Sequence, residues 1–587
     1  MLLALGAGYA AVVLGTATGS DARQLDLIFP FYNWHIRPFS TAAYESRRNE
    51  FALLALLLTG AFIGLTCARR SRAELAALGR ELRLAGAGLA AGLLNLTRPQ
   101  RRGALAALAL LTGLRLYLSI FNAEYDDAAS YTFFVSRGLL AVSAYYPVPN
   151  NHVLSNALSW LFYQVYPGFW WTMRLPVLLI ATATTGLLFA GLLNERVRFR
   201  PALLTVVLFG VTQLSLYHAA VGRGYWLLMG MAAITFFCTL ALSSGTSRPR
   251  AAWAGILISG VLGAYTVPTF ALVLASAFSW LGLHYWRRRD WPGLARLSAT
   301  GSLIVTSALL LYAPLLFVSG PGIFFSNGFV SPHPMVEFAQ MLPRFLWETE
   351  GFLAGQIKIG ALLTIAGLGA AIILLRRARR GQLSAALVAP WERLAPAALW
   401  FMALPYAVII IQRVYAPGRT LMYKAFFFYL LLALVVEWLL QIRPGSRLQR
   451  GLRPAMGAIA LLWGAYQVNC IVRDNRRPSQ DNADFHAAFA WLAGQPQGRV
   501  LVPDPTHNVF LNLYFRTERP EQRWQLAGRP QPGTYYAYVV AFPDRRGYFQ
   551  PRFTYPPAYH NREVDIYRVP ATAPVPAGLP AYWHLAD

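Results

Sequence analysis

Stretches of roughly 20 mostly apolar residues, parted by short polar segments, recur along most of the chain. A backbone in lipid must satisfy its own hydrogen bonds, so each stretch reads as a spanning helix. Thirteen candidates lie near 1–17, 51–67, 104–121, 174–193, 201–219, 225–243, 251–266, 268–284, 299–319, 359–375, 396–411, 421–442 and 455–471. The two either side of Pro268 could be one broken element, which makes the expected count about 11–13. Residues 69–97 have helical character between charged positions and predict an amphipathic surface helix. After residue 472 the pattern changes to compact or alternating apolar runs, RVLVPD, TYYAYVVAF and EVDIYRV, with a helical stretch near 483–494. That is the signature of a small α/β domain.

The segment 122–173 predicts two helices that do not cross. In the first, Tyr131, Phe134, Val135, Leu139 and Val142 share a face; in the second, Leu154, Ala157, Leu158, Leu161, Phe162 and Val165 do so. His152, Asn156, Ser159 and Tyr163 form a polar line on another face of the second. Such helices are expected to lie in the interface, half in lipid and half facing water. Pro147, Pro149, Asn150 and Asn151 supply a turn between them.

Composition agrees with the pattern: 56% of the 587 residues are hydrophobic, 13% are charged, and the mean hydropathy is +0.40. This is a polytopic membrane protein rather than a soluble one. The net charge of +26 would suggest nucleic acid on a soluble chain, so the placement of the charges decides. Threading the spans alternately puts 26 Lys and Arg on one side and 11 on the other before residue 472. The side bearing RRSR, WRRR and RRARR is therefore cytoplasmic, and 122–173, 320–358 and the tail face outward. The basic residues form scattered short loops without a continuous stripe, which excludes nucleic acid. The first apolar run has no Lys or Arg ahead of it, unlike a signal peptide. Cys67, Cys238 and Cys470 have no spacing for a metal or redox pair.

The candidate chemistry gathers outward. Asp126 and Asp127, with Glu124 beside them, stand just outside a span at the start of a helix, where a general base could meet a lipid-linked substrate. One of the two could instead cap that helix. Arg223 is a cation on the side that positive charge avoids. Arg413, Arg419 and Lys424 share that side, as function or as solvated loop residues. Arg115 lies within a span, where a charge needs a partner or a role; snorkelling or pairing with a loop carboxylate is expected. His152 could orient Asp126, touch an acceptor or cap its helix. Glu124, Asp126, Asp127 and His152 could together hold a divalent cation. The loop 320–358, too long for a connector, is expected to cover the cavity as a lid, with Glu337, Glu348 and Glu350 as candidate acceptor contacts.

EYDDAASY, then the PNNH turn, then MRLP entering a span, then VGRGYWLL ending another, resembles the C-type (GT-C) membrane glycosyltransferases, near the bacterial relatives of protein O-mannosyltransferases and of the lipid A aminoarabinose transferase. The resemblance covers roughly 104–471 and is strongest over 120–230. Asp126 followed by Asp127 stands where the family more often has Asp-Glu. Asn150-Asn151-His152 departs from the usual His-Pro-Pro turn, whereas Arg223-Gly224-Tyr225 keeps the Arg-x-Tyr motif. PGRTLMYK only loosely echoes a late outward motif.

The resemblance implies transfer of a sugar from a polyprenyl-phosphate carrier to a lipid, glycan or protein acceptor on the outer face of a bacterial-type cytoplasmic membrane, with inversion. It makes Asp126 the general base with Asp127 beside it. Arg223, Arg419, Lys424 and Arg413 become candidates for the donor phosphate, and His152, Tyr225, Glu124, Asn151 and Glu348 for substrate contacts. The expected organisation is an N-terminal extension over 1–103, a GT-C-like transmembrane catalytic region over 104–471 with interfacial helices in its first loop, and an extracytoplasmic α/β domain over 472–587. A transporter or lipid flippase, or an inactive GT-C-like scaffold, would also carry these spans; the former predicts ionisable residues deep in several of them.

Overall fold

The computed structural model describes residues 1–28, 36–147, 151–324, 331–441, 447–522, 524–530, 534–543, 553 and 555–570. All thirteen apolar runs are helical. Eight helices are long and apolar enough to cross a membrane: Thr41–Cys67, Trp170–Asn194, Tyr225–Ser243, Trp291–Leu311, Gly360–Arg379, Leu387–Gln412, Gly418–Leu439 and Pro454–Ala493. Two bent pairs, Leu2–Gly15 with Gly19–Leu27 at 88° and Phe199–Gly210 with Gln213–Ala220 at 65°, raise the number to ten. The protein is thus a multi-pass membrane protein with 8–10 candidate spans, fewer than the 11–13 expected.

The difference lies in three helices. Arg98–Ser119 opens on a basic run and contains Arg115, Pro249–Thr266 has polar ends, and Ala271–Arg287 has only 17 residues. The break at Pro268 is real: a 3₁₀ turn over Pro268–Phe270 separates the last two. Arg115 neither snorkels nor meets a carboxylate. Its guanidinium donates to Thr185 Oγ1 at 2.9 Å and the Ala181 carbonyl at 3.2 Å, and lies 4.5 Å from the centre of the Trp226 ring.

The amphipathic segment forms the helix Arg69–Leu94, docked on the chain ends near 194 and 250. Arg250 reaches Glu74 at 2.7 Å and Glu81 at 3.0 Å, and Arg248 donates to the Leu84 carbonyl. It therefore packs against the bundle rather than lying on lipid alone.

At the opposite end sits a mixed five-stranded sheet of β1 (Arg499–Leu501), β2 (Gln525–Ala527), β3 (Tyr538–Ala541), β4 (Tyr559–His560) and β5 (Asp565–Arg568), in the order β2-β1-β3-β5-β4. β1 runs parallel to β2 and β3, while β5 is antiparallel to β3 and β4. Three of its strands lie in the runs marked by the sequence. The helix Pro505–Glu518, capped by Asp504 accepting from the Thr506 amide at 2.8 Å, was not expected.

This domain packs on the 122–173 segment through one core, in which Ala128, Phe133 and Val142 join Phe485, Phe510 and Val540. Asn482 and Asn122 stitch the two together by bonds to the Ala123 carbonyl at 2.6 Å and Ser479 Oγ at 3.0 Å. The water-facing side expected of the first loop helix is instead largely covered by this domain. The helix is buried on nearly all sides and broken into Tyr125–Phe133, a 3₁₀ turn Val135–Arg137 and Leu139–Ala144. The break falls at Gly138, whose φ of +100° a side chain would disfavour. The second helix, Val153–Val165, does keep an exposed face at Leu161 and Val165, but its polar line at His152, Asn156 and Ser159 points inward. Pro149 and Asn150 lie outside the described residues.

Candidate functional site

Arg174 organises this region. Its guanidinium donates to the Ser119 and Asn122 carbonyls, each at 2.8 Å, and to that of Phe121, so it gathers the chain as it leaves the Arg98–Ser119 helix. Its Nε also donates to Asp127 Oδ2 at 3.1 Å. That same oxygen accepts from the Gly222 amide at 3.2 Å, while Asp127 Oδ1 accepts from the Glu124 amide at 2.9 Å. Asp127, fully buried, thereby ties three chain segments together. Of the two aspartates it is the one with the capping role, taken from the third helical position.

Successive helical residues point about 100° apart, so a pinned Asp127 turns Asp126 away from the knot. Asp126 is 44% exposed and faces the guanidinium of Arg223, which is 3% exposed, at 3.7 Å. Arg223 Nη2 lies 3.2 Å from His152 Nε2, and the Gly224 amide donates to His152 Nδ1 at 3.0 Å. Both ring nitrogens thus face donors, and a neutral imidazole can accept from only one. Burial, and after it the charges of Arg223 and Arg419, hold the ring pKa well below its ordinary value. His152 occupies the N-cap position of its helix without capping it through the side chain.

The glycines flanking Arg223 have a steric reason. A Cβ on Gly222 would come within 2.7 Å of Met173, and one on Gly224 within 3.1 Å of both His152 and Ser155. Tyr225 is buried edge-on to His152, with ring centres 4.8 Å apart, and packs on His218 at 4.3 Å. Arg419, exposed on the turn Gly418–Leu421, is close enough to act electrostatically on both histidines.

Glu124 lines a cavity of about 200 Å³ with Arg174, Gln213, Tyr217, Asp474 and Asn475. Burial, and after it the neighbouring Asp127, pushes its carboxyl up to about 7, with Arg174 pulling the other way.

Six of the residues singled out by sequence therefore come together: Glu124, Asp126, Asp127, His152, Arg223 and Tyr225, with Arg419 at the margin. The others do not join them. Asn151 spends both amide hydrogens on the Val142 and Tyr145 carbonyls, at 2.8 and 2.9 Å, and is a loop pin rather than an exposed contact. Lys424 is buried in an ion pair with Glu350 at 2.7 Å, over the Tyr406 ring, so its charge is already neutralised. Arg413 ends its helix with φ +56° and its carbonyl accepts from the His333 amide. Glu348 is half exposed and paired with Arg344 at 2.7 Å. Glu337 similarly meets His333. The presumed lid is largely the helix Met335–Leu353, packed on Gly360–Arg379, and residues 325–330 lie outside the described residues.

The four groups considered as a cation site do not fit one. Asp127 already accepts from three protein donors and His152 faces a guanidinium. Among the described residues no group of three or more His, Cys, Asp or Glu converges on a metal position.

Arg174 was not read from sequence as functional. The signal existed: it is a basic residue at the sparsely charged end of a span, the argument that singled out Arg223.

No protein-family model and no curated protein matches the sequence. Among solved structures, ArnT from Cupriavidus metallidurans bound to undecaprenyl phosphate aligns over 80% of this chain and 98% of its own, with a TM-score of 0.52 at 13% identity. The fold resembles that of ArnT. The apo form of ArnT gives 79% and 98% coverage, a TM-score of 0.50 and 13% identity. A fold like that of ArnT agrees with the fold expected from the four short motifs. About a fifth of this chain falls outside the alignment with ArnT, whereas nearly all of ArnT falls within it.

Proposed function

We propose that the protein transfers a sugar from a polyprenyl-phosphate carrier to an acceptor hydroxyl at the face bearing the 122–173 segment, which the charge distribution places outward. What supports this is the half-exposed carboxylate of Asp126 held beside the buried guanidinium of Arg223, in a fold similar to an ArnT structure that carries undecaprenyl phosphate.

The chemistry needs two things from the protein. The acceptor oxygen attacks the anomeric carbon as the bond from that carbon to the phosphate oxygen breaks, and the acceptor proton passes to Asp126. The electron pair of the broken bond stays on the polyprenyl phosphate, whose charge grows at the oxygen that leaves. Arg223, with Arg419 near it, supplies positive charge there. Asp127 and Arg174 hold the helix start so that Asp126 faces the mouth. His152 stays neutral and supports Arg223 from behind. One carboxylate acting as base, without a nucleophilic partner, implies inversion at the sugar.

The test uses purified protein in bilayer discs with carrier lipids and acceptor extract from the host envelope, following polyprenyl-phosphate sugars by mass spectrometry for wild type and Asp126→Asn. Consumption by wild type alone supports the reading. Equal consumption by both removes Asp126 from its role. No consumption by either, with a folded protein and a demonstrated donor pool, moves the weight to the transporter or scaffold.

A further inference from the structure

The helix Arg98–Ser119 is held closely over its second half. Leu111 lies so near Gly210 that a Cβ there would meet it at 2.9 Å, and one turn on Arg115 bonds Thr185 and Ala181 of the Leu175–Asn194 helix. Between Arg101 and Leu111, by contrast, a groove of about 310 Å³ separates it from the Leu175–Asn194 and Phe199–Gly210 helices. Small residues leave this space. Ala104 and Ala107 face it from one side and Gly186 from the other, where a Cβ would meet no atom within 4 Å.

Leu108, Phe189 and Val206 complete an apolar wall. Thr185 is polar but engaged, since its hydroxyl donates to the Ala181 carbonyl at 2.6 Å and accepts from Arg115 at 2.9 Å. Arg101 is the one charged residue of the lining and stands at one end of it. Its guanidinium donates to the Leu94 carbonyl at 2.9 Å, which fixes it beside the last turn of the Arg69–Leu94 helix.

We infer that this groove holds one acyl chain of an anionic glycerophospholipid, with the headgroup phosphate at Arg101 and its neighbours Arg98 and Arg102. The site is separate from the Asp126 mouth and does not rest on the transfer reading.

Length, lining and charge agree on this occupant. Ten residues part Arg101 from Leu111, so the groove follows about 15 Å of helix. That is the hydrocarbon depth of one leaflet, half of a core roughly 30 Å thick. Leu94 and Leu105 on its rim are 67% and 60% exposed, so the groove opens through apolar side chains. Left empty, its walls would lack contact atoms on one side, and a hydrocarbon chain supplies them. A soluble anion would gain nothing from such walls.

The headgroup end lacks a counter-charge. Arg98, Arg101 and Arg102 are exposed on the first turn of their helix, which has no acidic residue, and among the described residues none of them forms an ion pair. Glu81 and Glu195, at the same end of the bundle, are already paired with Arg250 at 3.0 Å and Arg393 at 3.1 Å. A basic pocket between helices at the membrane surface selects an anionic headgroup. A zwitterionic one brings its own cation and gains less.

The test titrates lipid onto the full protein in detergent and counts bound molecules by native mass spectrometry. The probes are phosphatidylglycerol, phosphatidylcholine with the same chains, undecaprenyl phosphate and inorganic phosphate. One phosphatidylglycerol should bind wild type about tenfold more tightly than phosphatidylcholine. Arg98→Gln/Arg101→Gln/Arg102→Gln should bring the two phospholipids level. Arg287→Gln/Arg288→Gln/Arg289→Gln, at an exposed basic trio elsewhere, should leave the preference intact, which separates a built site from the general pull of a basic surface. Gly186→Leu places its side chain in the groove and should weaken phosphatidylglycerol by about tenfold, whereas Gly186→Ala should cost under about threefold. Melting without lipid shows which variants fold. If the first arginine variant does not, Arg101→Gln and Gly186→Leu decide. Equal binding of the two phospholipids, equal loss in both arginine trios, or unchanged binding in Gly186→Leu overturns the inference. So does displacement of phosphatidylglycerol by inorganic phosphate, or tighter binding of undecaprenyl phosphate.

Discussion

Asp126 and Asp127 are adjacent in the chain and belong to different regions of the molecule. Asp127 is inside a knot where Arg174 and two backbone amides take up its oxygens. Asp126 opens on the mouth, with 44% of its side chain exposed and the Arg223 guanidinium 3.7 Å away. The lesson is a division of labour: a fully engaged carboxylate fixes geometry, and its neighbour keeps an accessible face for a proton. The sharpest way to break this comparison is to neutralise each in turn. Asp126→Asn should lower kcat by roughly 10²–10⁴-fold, the worth of a positioned base, and cost less stability than Asp127→Asn because water screens its half-exposed pair with Arg223. Asp127→Asn should instead destabilise the fold by about 3 kcal/mol, because Arg174 keeps a buried charge with only carbonyls to face. Turnover by mass spectrometry and melting in discs read the two effects separately. If Asp127→Asn melts like wild type and loses turnover, the assignment is reversed.

Arg223 and Arg174 repeat the contrast among cations. Arg174 is committed to a carboxylate and three carbonyls, whereas Arg223 looks towards the exposed Asp126 and a neutral histidine. Arg223→Gln should reduce kcat by about 10²–10³-fold, comparable to removing one donor that stabilises developing charge. Polyprenyl phosphate added as product should inhibit wild type more strongly than the variant. Equal inhibition would assign Arg223 to structure alone.

Glu124 stands between the two regions and should betray itself by pH. Its carboxyl is pushed up to about 7 by burial and by Asp127, from an ordinary value of 4.5. The folded state therefore holds a proton that the unfolded chain releases earlier. Its contribution to stability is full below about 4.5 and is lost as pH rises through about 7. Melting followed from pH 5 to 8 should show a decline of about 2 °C that Glu124→Gln removes. An unchanged slope in the variant would refute the assignment.

The bundle, and the residues that the structure gathers at the candidate site, were legible for a physical reason: lipid imposes a length and an apolar composition on each span, and charge is scarce on one side of the membrane. Asp126, Arg223 and His152 stand out against that background. What stayed hidden depends on contacts across the fold. The apolar face of the first loop helix is visible in sequence, whereas the C-terminal domain that buries its other face lies more than 300 residues away. Lys424 looked available for phosphate because nothing local announces Glu350, 74 residues earlier, as its partner. The low span count has another origin: three of the expected helices are too short or too polar to pass as spans by length and composition.

The smallest effect is expected two residues from that hidden pair. Glu348 and Glu350 sit two residues apart on the helix Met335–Leu353, and sequence gives no reason to separate them. In the structure Glu348 is half exposed beside an Arg344 that is itself mostly exposed, so water screens the pair and it is worth little. Glu350 accepts from Lys424 and from the Tyr406 hydroxyl in a buried setting. Glu348→Gln should thus change stability by less than about 0.5 kcal/mol and leave turnover at the wild-type level. Glu350→Gln strands the Lys424 charge and should destabilise by about 3 kcal/mol or more. Melting of the two variants side by side decides it. A loss of acceptor affinity in Glu348→Gln at unchanged stability would return that residue to the substrate path, and equal stability in both would show that the buried pair does not hold its helix in place.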